Sequence, residues 1–356
     1  MDYTKLNNFY KGKRVFLTGH TGFKGSWMCV ILKLLGAEVY GYSLAPNTEP
    51  DLFGILGISG DIHHTVGDIR DMDALERAYI SADPDVVFHL AAQPIVRDSY
   101  KEPRYTYETN VMGTVNILEC LRRNLGAVSF LNVTTDKVYE NNDLENHGFK
   151  EDEKLDGYDP YSNSKSCSEL VTHSYKKSFF SEADSPAVST ARAGNVIGGG
   201  DFANDRIVPD CVRATIKGES IIVRNPYSTR PYQHVLEPLA AYLMIAVEQA
   251  QDKKYADYYN IGPRDEDCIN TGVLADTFVK YWGSPANWKN MSEANAPHEA
   301  SFLKLDCSKA RATFGWEPVW DVDSAIRETV AWYKAWNAGE NMREFTEGQI
   351  KDFFNY

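Results

Sequence analysis

The run Thr18-Gly19-His20-Thr21-Gly22-Phe23-Lys24-Gly25 constrains this chain more than any other stretch. It follows a short β-rich segment, Arg14–Thr18, and leads into a helical one, Trp27–Leu35. Glycines spaced GxxGxxG permit a tight turn, close approach of the backbone to a pyrophosphate, and close packing of helix on strand. The helix that follows offers free amides and a partial positive charge to phosphate oxygens. An ordinary βα turn can also hold glycines; the position after a strand, before a helix and at the chain start is the context a dinucleotide site requires. Gly19, His20, Gly22, Phe23 and Gly25 are the expected cofactor contacts.

The same alternation continues downstream. Glu38–Ser43, His64–Val66, Asp85–Leu90, Val128–Val133 and Ala187–Ala191 read as strands, and Met72–Ile80, Asn110–Arg123 and Ser162–Phe179 as helices. Apolar strands separated by helix-length segments predict an α/β fold with a Rossmann-type, doubly wound parallel sheet. After about residue 192 the chain loosens into connections rich in Gly, Asn, Asp and Pro, which predicts a smaller, loop-rich α/β substrate domain. The expected division is residues 1–192 for the dinucleotide and 193–356 for the substrate, with segments near 223–262 returning to the first.

Composition narrows the partners. A net charge of −13 argues against nucleic acid and anionic membrane surfaces, though one anionic small molecule needs only local cations. No apolar run approaches the roughly 20 residues of a membrane span. Met1–Lys13 has no apolar core of a signal peptide. Six scattered cysteines without a CxxC pair predict neither a metal site nor a disulfide frame, and a reduced, cytoplasmic protein.

Tyr161-Ser-Asn-Ser-Lys165 sets a phenol and an ammonium four residues apart, on one helical face. A nearby lysine and a positive nicotinamide favour the phenolate, so Tyr161 is the expected base for a sugar hydroxyl whose carbon gives up hydride. Thr134-Thr135-Asp136-Lys137 follows the fifth strand, and ligands of open α/β sheets bind beyond the carboxyl ends of strands. Thr135 fits a hydroxyl hydrogen-bonded to the sugar oxygen. Asp136 has no role in plain alcohol oxidation, but an acid there suits a hydroxyl that must leave.

With these motifs the chain resembles the nucleotide-sugar 4,6-dehydratases of the extended short-chain dehydrogenase/reductase family. Thr135-Asp-Lys137, Asp159-Pro-Tyr-Ser-Asn-Ser-Lys165 and Arg192-Ala-Gly-Asn-Val-Ile-Gly-Gly-Gly-Asp201 are similar to the branch acting on CDP-glucose. The resemblance implies cofactor contacts at Asp68, Ile69, Ala91 and Ala92, and substrate contacts at Gln93, Asn195, Arg206, Arg230 and His298. Strand two ends in Tyr42-Ser43-Leu44 with neither the usual ribose-binding acid nor an arginine, which favours NAD, held less firmly than in relatives. The implied cycle oxidises C4, eliminates water across C5 and C6, and returns hydride to C6. Lys137 stands where the family usually has glutamate; it is a base, an enolate stabiliser, or merely the partner of Asp136. Arg206 either grips phosphate, caps a helix or pairs with Asp210. By the same likeness Asn110–Arg123 and Ser162–Phe179 form the interface of a homodimer or dimer of dimers. A nucleotide-sugar 4-epimerase and a non-catalytic NAD-responsive binding protein are the alternatives.

Overall fold

The computed structural model describes residues 3–142, 147–291 and 302–355. Its centre is a seven-stranded, all-parallel sheet. The first six strands are β1 (Arg14–Thr18), β2 (Glu38–Ser43), β3 (His63–Val66), β4 (Val86–His89), β5 (Ser129–Thr134) and β6 (Ala187–Ala193). The seventh, Tyr258–Ile261, lies outside β6, giving the order seventh, β6, β5, β4, β1, β2, β3. Helices cover both faces, so every residue of β4, β5 and β6 is buried. Only β3, an edge strand, is largely exposed.

Local chemistry fixes the helix starts around this sheet. Asp71 caps Met72–Ala82 by accepting from the Ala74 amide at 3.0 Å. Asp159 caps Pro160–Phe179, with the proline at a position that has no intrahelical donor to lose. The helix after the glycine turn begins at Phe23, four residues before the expected Trp27, and spans Phe23–Leu34. Phe23, Lys24 and Gly25 therefore form its first turn. Asn110–Arg123 is not one uniform helix either: a π-turn at Glu108–Met112 precedes Gly113–Arg123. There Asn110 turns its side chain inward, accepting from Gln93 N at 2.8 Å and donating to Ser164 Oγ at 2.8 Å.

The segment 236–261 belongs to the sheet layer. Leu236–Gln251 is predominantly apolar and mostly buried, as a helix packed between layers must be. Gln249 ties it to β5 through Ser129 Oγ and Phe130 O, at 2.7 and 3.1 Å. The rest of the C-terminal half is built of helices and three two-stranded sheets, which pair Val196–Ile197 with Gln233–His234, Thr229–Arg230 with Ile269–Asn270, and Ile221–Val223 with Trp288–Asn290. It closes against the glycine-turn helix: Trp27 Nε1 donates to Gly199 O at 3.0 Å. The six cysteines are unpaired. Among the described residues no helix is long and apolar enough to cross a membrane.

Candidate active site

The glycine turn closes on the end of β4. Gly19 has φ +78°, and a Cβ there would stand 2.7 Å from Ala91 N; one on Gly25 would stand 2.1 Å from Gly19 O. Thr18 Oγ1 accepts from the Leu90 and Ala91 amides, each at 3.2 Å, which fixes the chain leading to Ala92 and Gln93. Gly22, by contrast, is exposed, and the helix it precedes has no side-chain cap and no acid in its first turn. Uncapped amides beside an open glycine fit a dinucleotide's diphosphate.

Other expected cofactor residues occupy the rim in less direct ways. The His20 ring is buried, hydrogen-bonded to His64 at 2.6 Å and packed where a Cβ on Gly41 would come within 2.4 Å of it. Burial, and then His64, lower its pKa to about 3. Its imidazole packs into the wall of the turn. Asp68 is clamped by Arg70 at 2.6 Å and holds the Arg70 amide at 2.9 Å. Ile69 is buried against Gly113. At the end of β2, Ser43 and Thr21 share a hydroxyl–hydroxyl hydrogen bond of 2.9 Å where a carboxylate is usual.

The residues expected to react come from the end of β5 and from Pro160–Phe179. Thr135 caps a one-turn helix, Asp136–Val138, and Ser166 Oγ on the long helix donates to Val138 O at 2.7 Å. That bond holds Asp136 beside Tyr161 and Lys165. Asp136 is fully buried, and its Oδ1 accepts from Thr135 Oγ1 at 2.9 Å and Lys137 Nζ at 3.3 Å. Its Oδ2 has no partner among the described residues. Lys165 donates to Val133 O at 3.1 Å, and burial lowers it to about 8. Tyr161 is pushed up to about 12, again by burial, which the Thr135 hydrogen bond only partly offsets.

Behind these groups lies a buried brace that the sequence did not reveal. Glu169, one turn beyond Lys165, accepts from Thr134, from Thr190 at 2.7 Å and from Arg192 at 3.0 Å, and it bonds His173 at 3.0 Å. Arg192 continues to Tyr139 at 2.7 Å. The pair locks the carboxyl ends of β5 and β6, where Thr134 lies opposite Arg192. Its only sequence signal is the i, i+4 spacing from Lys165.

On the substrate side, Asn195 has φ +21° and a buried Oδ1 with no partner among the described residues. Arg206 neither caps with its side chain nor pairs with Asp210; it binds Asp201 at 2.9 Å, while Arg213 takes Asp210. Its charge reaches Tyr161. Arg230 is buried and donates to Thr229 O at 2.9 Å. Gln93 spends its side-chain amide on its own loop, donating to Ile95 O at 3.2 Å and Thr106 at 2.9 Å and accepting from the Ile95 amide at 2.5 Å. It braces this loop. His298 lies outside the described residues.

The glycine turn after β1, the Tyr/Lys helix and the acid after β5 lie at the carboxyl end of one parallel sheet. The family model described as GDP-mannose 4,6 dehydratase matches residues 16–329 of this chain. The chain belongs to this family. A relative from Salmonella typhimurium, named CDP-glucose 4,6-dehydratase, is 45% identical over 353 residues and covers 98% of each chain. A dTDP-glucose 4,6-dehydratase from Streptomyces antibioticus is 28% identical over 330 residues, covering 90% of this chain and 92% of its own. The fold is also that of a Thermotoga maritima UDP-glucose 4-epimerase, with a TM-score of 0.78 at 21% identity, covering 91% of this chain and 99% of that one. The dehydratase family thus shares its architecture with epimerases, and only the site separates the two chemistries.

Proposed function

We propose that this chain binds NAD at the glycine turn and converts CDP-glucose to CDP-4-keto-6-deoxyglucose with loss of water. The observation that carries the reading is Asp136, a fully buried carboxyl with one oxygen held and the other unpartnered among the described residues. A 4-epimerase needs the tyrosine and the dinucleotide but no acid here, whereas a departing hydroxyl does. The 45% identity to the Salmonella dehydratase supports cytosine as the base.

When bound, NAD supplies the hydride acceptor for C4, the hydride donor for C6 and a positive ring that favours the Tyr161 phenolate. The chain does the rest. Tyr161 takes the proton of the 4-hydroxyl while Thr135 orients that oxygen. Asp136 then protonates the 6-hydroxyl, which leaves as water. Lys137, ion-paired with Asp136 at 3.3 Å, orients the acid and offers positive charge to the developing enolate. Arg206 and Arg230 serve the substrate diphosphate, and the unpartnered Oδ1 of Asn195 receives a sugar hydroxyl.

Incubation with CDP-glucose and NAD, followed by mass spectrometry, tests this. A product lighter by one water, with the alkali-induced chromophore of a 4-ketone, is expected; an isomer of unchanged mass marks an epimerase. A homodimer fits the exposed Met112, Leu170 and Phe179 on the two mutually packed helices, and light scattering of the purified protein decides it. Six unpaired thiols and no membrane-length helix among the described residues suit the cytoplasm.

A further inference from the structure

Elimination across C5 and C6 needs a proton acceptor as well as the acid Asp136. Lys137, at the position of the family's glutamate, is already tied to Asp136 at 3.3 Å. A second amine, Lys24, lies within electrostatic reach of Asp136 and Lys137. Lys24 lies in the first turn of Phe23–Leu34, where a cation opposes the helix dipole and gains nothing from it. The neighbouring Phe23 ring sits 3.1 Å from where a Cβ on Gly198 would be, so this turn faces the loop that carries Asn195 and Arg206. Lys24 makes no hydrogen bond or ion pair with any described residue. The charges bearing on it are Arg206, Lys165, Asp136 and Lys137, from three other elements of the site.

From this placement we infer that Lys24 is the general base of the elimination, taking the C5 proton and returning it to C5 in the final reduction. This rests on the dehydratase reading above. As the C5–H bond breaks, a bond forms from that hydrogen to Lys24 Nζ and the electron pair becomes C5=C6. The C6–O bond breaks with a proton from Asp136, and water departs. When hydride reaches C6, the Lys24 ammonium gives its proton back to C5, so the amine is regenerated within one turnover. The surroundings suit a base, since burial first, then Arg206 and Lys165, lower Lys24 to about 7, with Asp136 opposing.

The test compares wild type, Lys24→Gln and Lys24→Arg, each loaded with NAD and given CDP-glucose in D2O. Both variants should still reduce the dinucleotide, seen as a stoichiometric rise at 340 nm. They should then stall, with no loss of water, no deuterium at C5 and turnover at least about 100-fold below wild type. Arginine should not rescue, because its guanidinium keeps its proton. In the substrate-free protein, the resonance of 13C-methylated Lys24 should titrate near neutrality. Turnover with C5 exchange in Lys24→Gln overturns the inference. So does restored turnover in Lys24→Arg, or loss of NAD binding in Lys24→Gln that arginine repairs, since each assigns Lys24 a fixed charge only. If wild type itself releases no dehydrated product, the dehydratase reading fails instead.

Discussion

The reach of Asp136 depends on a hydrogen atom at residue 194. A Cβ there would lie 1.8 Å from Asp136 Oδ2 and 2.3 Å from its Cγ, far inside any tolerable contact. Asp136 cannot yield cheaply: it is fully buried, and its other oxygen is fixed by Thr135 and Lys137. Gly194→Ala must therefore swing the carboxyl by more than an ångström or push β5 and β6 apart. Overpacking of this kind costs about 1–3 kcal/mol of stability. A displacement on the order of 1 Å costs roughly 100-fold in rate, and loss of a general acid roughly 10²–10⁴-fold. The expected result is kcat lowered about 100-fold or more, with NAD affinity and the initial C4 oxidation retained. Stopped-flow absorbance at 340 nm reads the oxidation, and mass spectrometry of quenched samples reads the water loss. A Gly194→Ala enzyme with wild-type kcat for dehydration would refute the placement of Asp136 as the acid.

Three further outcomes follow from the same structure. Glu169→Gln leaves Arg192, wholly buried, without its counter-ion, and should destabilise the protein by about 3–5 kcal/mol in urea titrations; a change below about 1 kcal/mol contradicts the brace. His20, His89 and His234 are each held near a pKa of about 3 by burial, so they fold neutral. Their contribution is full above the ordinary histidine pKa of about 6.5 and is lost as pH falls from there toward 3, at up to about 1.4 kcal/mol per pH unit each. The urea midpoint should accordingly fall between pH 7 and 5.5, and a flat profile speaks against buried neutral rings. Because Ser43 replaces the ribose-binding acid, the bound dinucleotide should exchange with added NAD during gel filtration; stoichiometric, non-exchanging NAD contradicts that.

Much of this architecture is legible in the residues themselves. β1 and β2 appear at their expected bounds because their β-branched and aromatic residues are bracketed by Gly12, Lys13, Gly19 and Gly36. The helix after the turn begins earlier than its apolar pattern suggests, since glycines that look like loop residues lie inside its first turn. The π-turn at Glu108–Met112 is set by the tertiary partners of Asn110, Gln93 and Ser164, which no local pattern encodes. At the site, Tyr161, Lys165, Thr135 and Asp136 are readable because motif spacing and strand ends place them. Gly194 and Glu169 are not, because their importance lies in what approaches them from another strand. Lys24 stands in plain view inside the glycine motif. Its signal is the cation at a helix start, which helix energetics disfavour.

The most direct measurement of the central claim is the fate of oxygen at C6. CDP-glucose labelled with 18O at C6 and incubated with the NAD-loaded protein should give a 4-keto product free of label, with one labelled water released per turnover. In an Asp136→Asn variant the label should remain on a sugar stalled after C4 oxidation. Wild-type product that keeps the label with unchanged mass would contradict dehydration at this site.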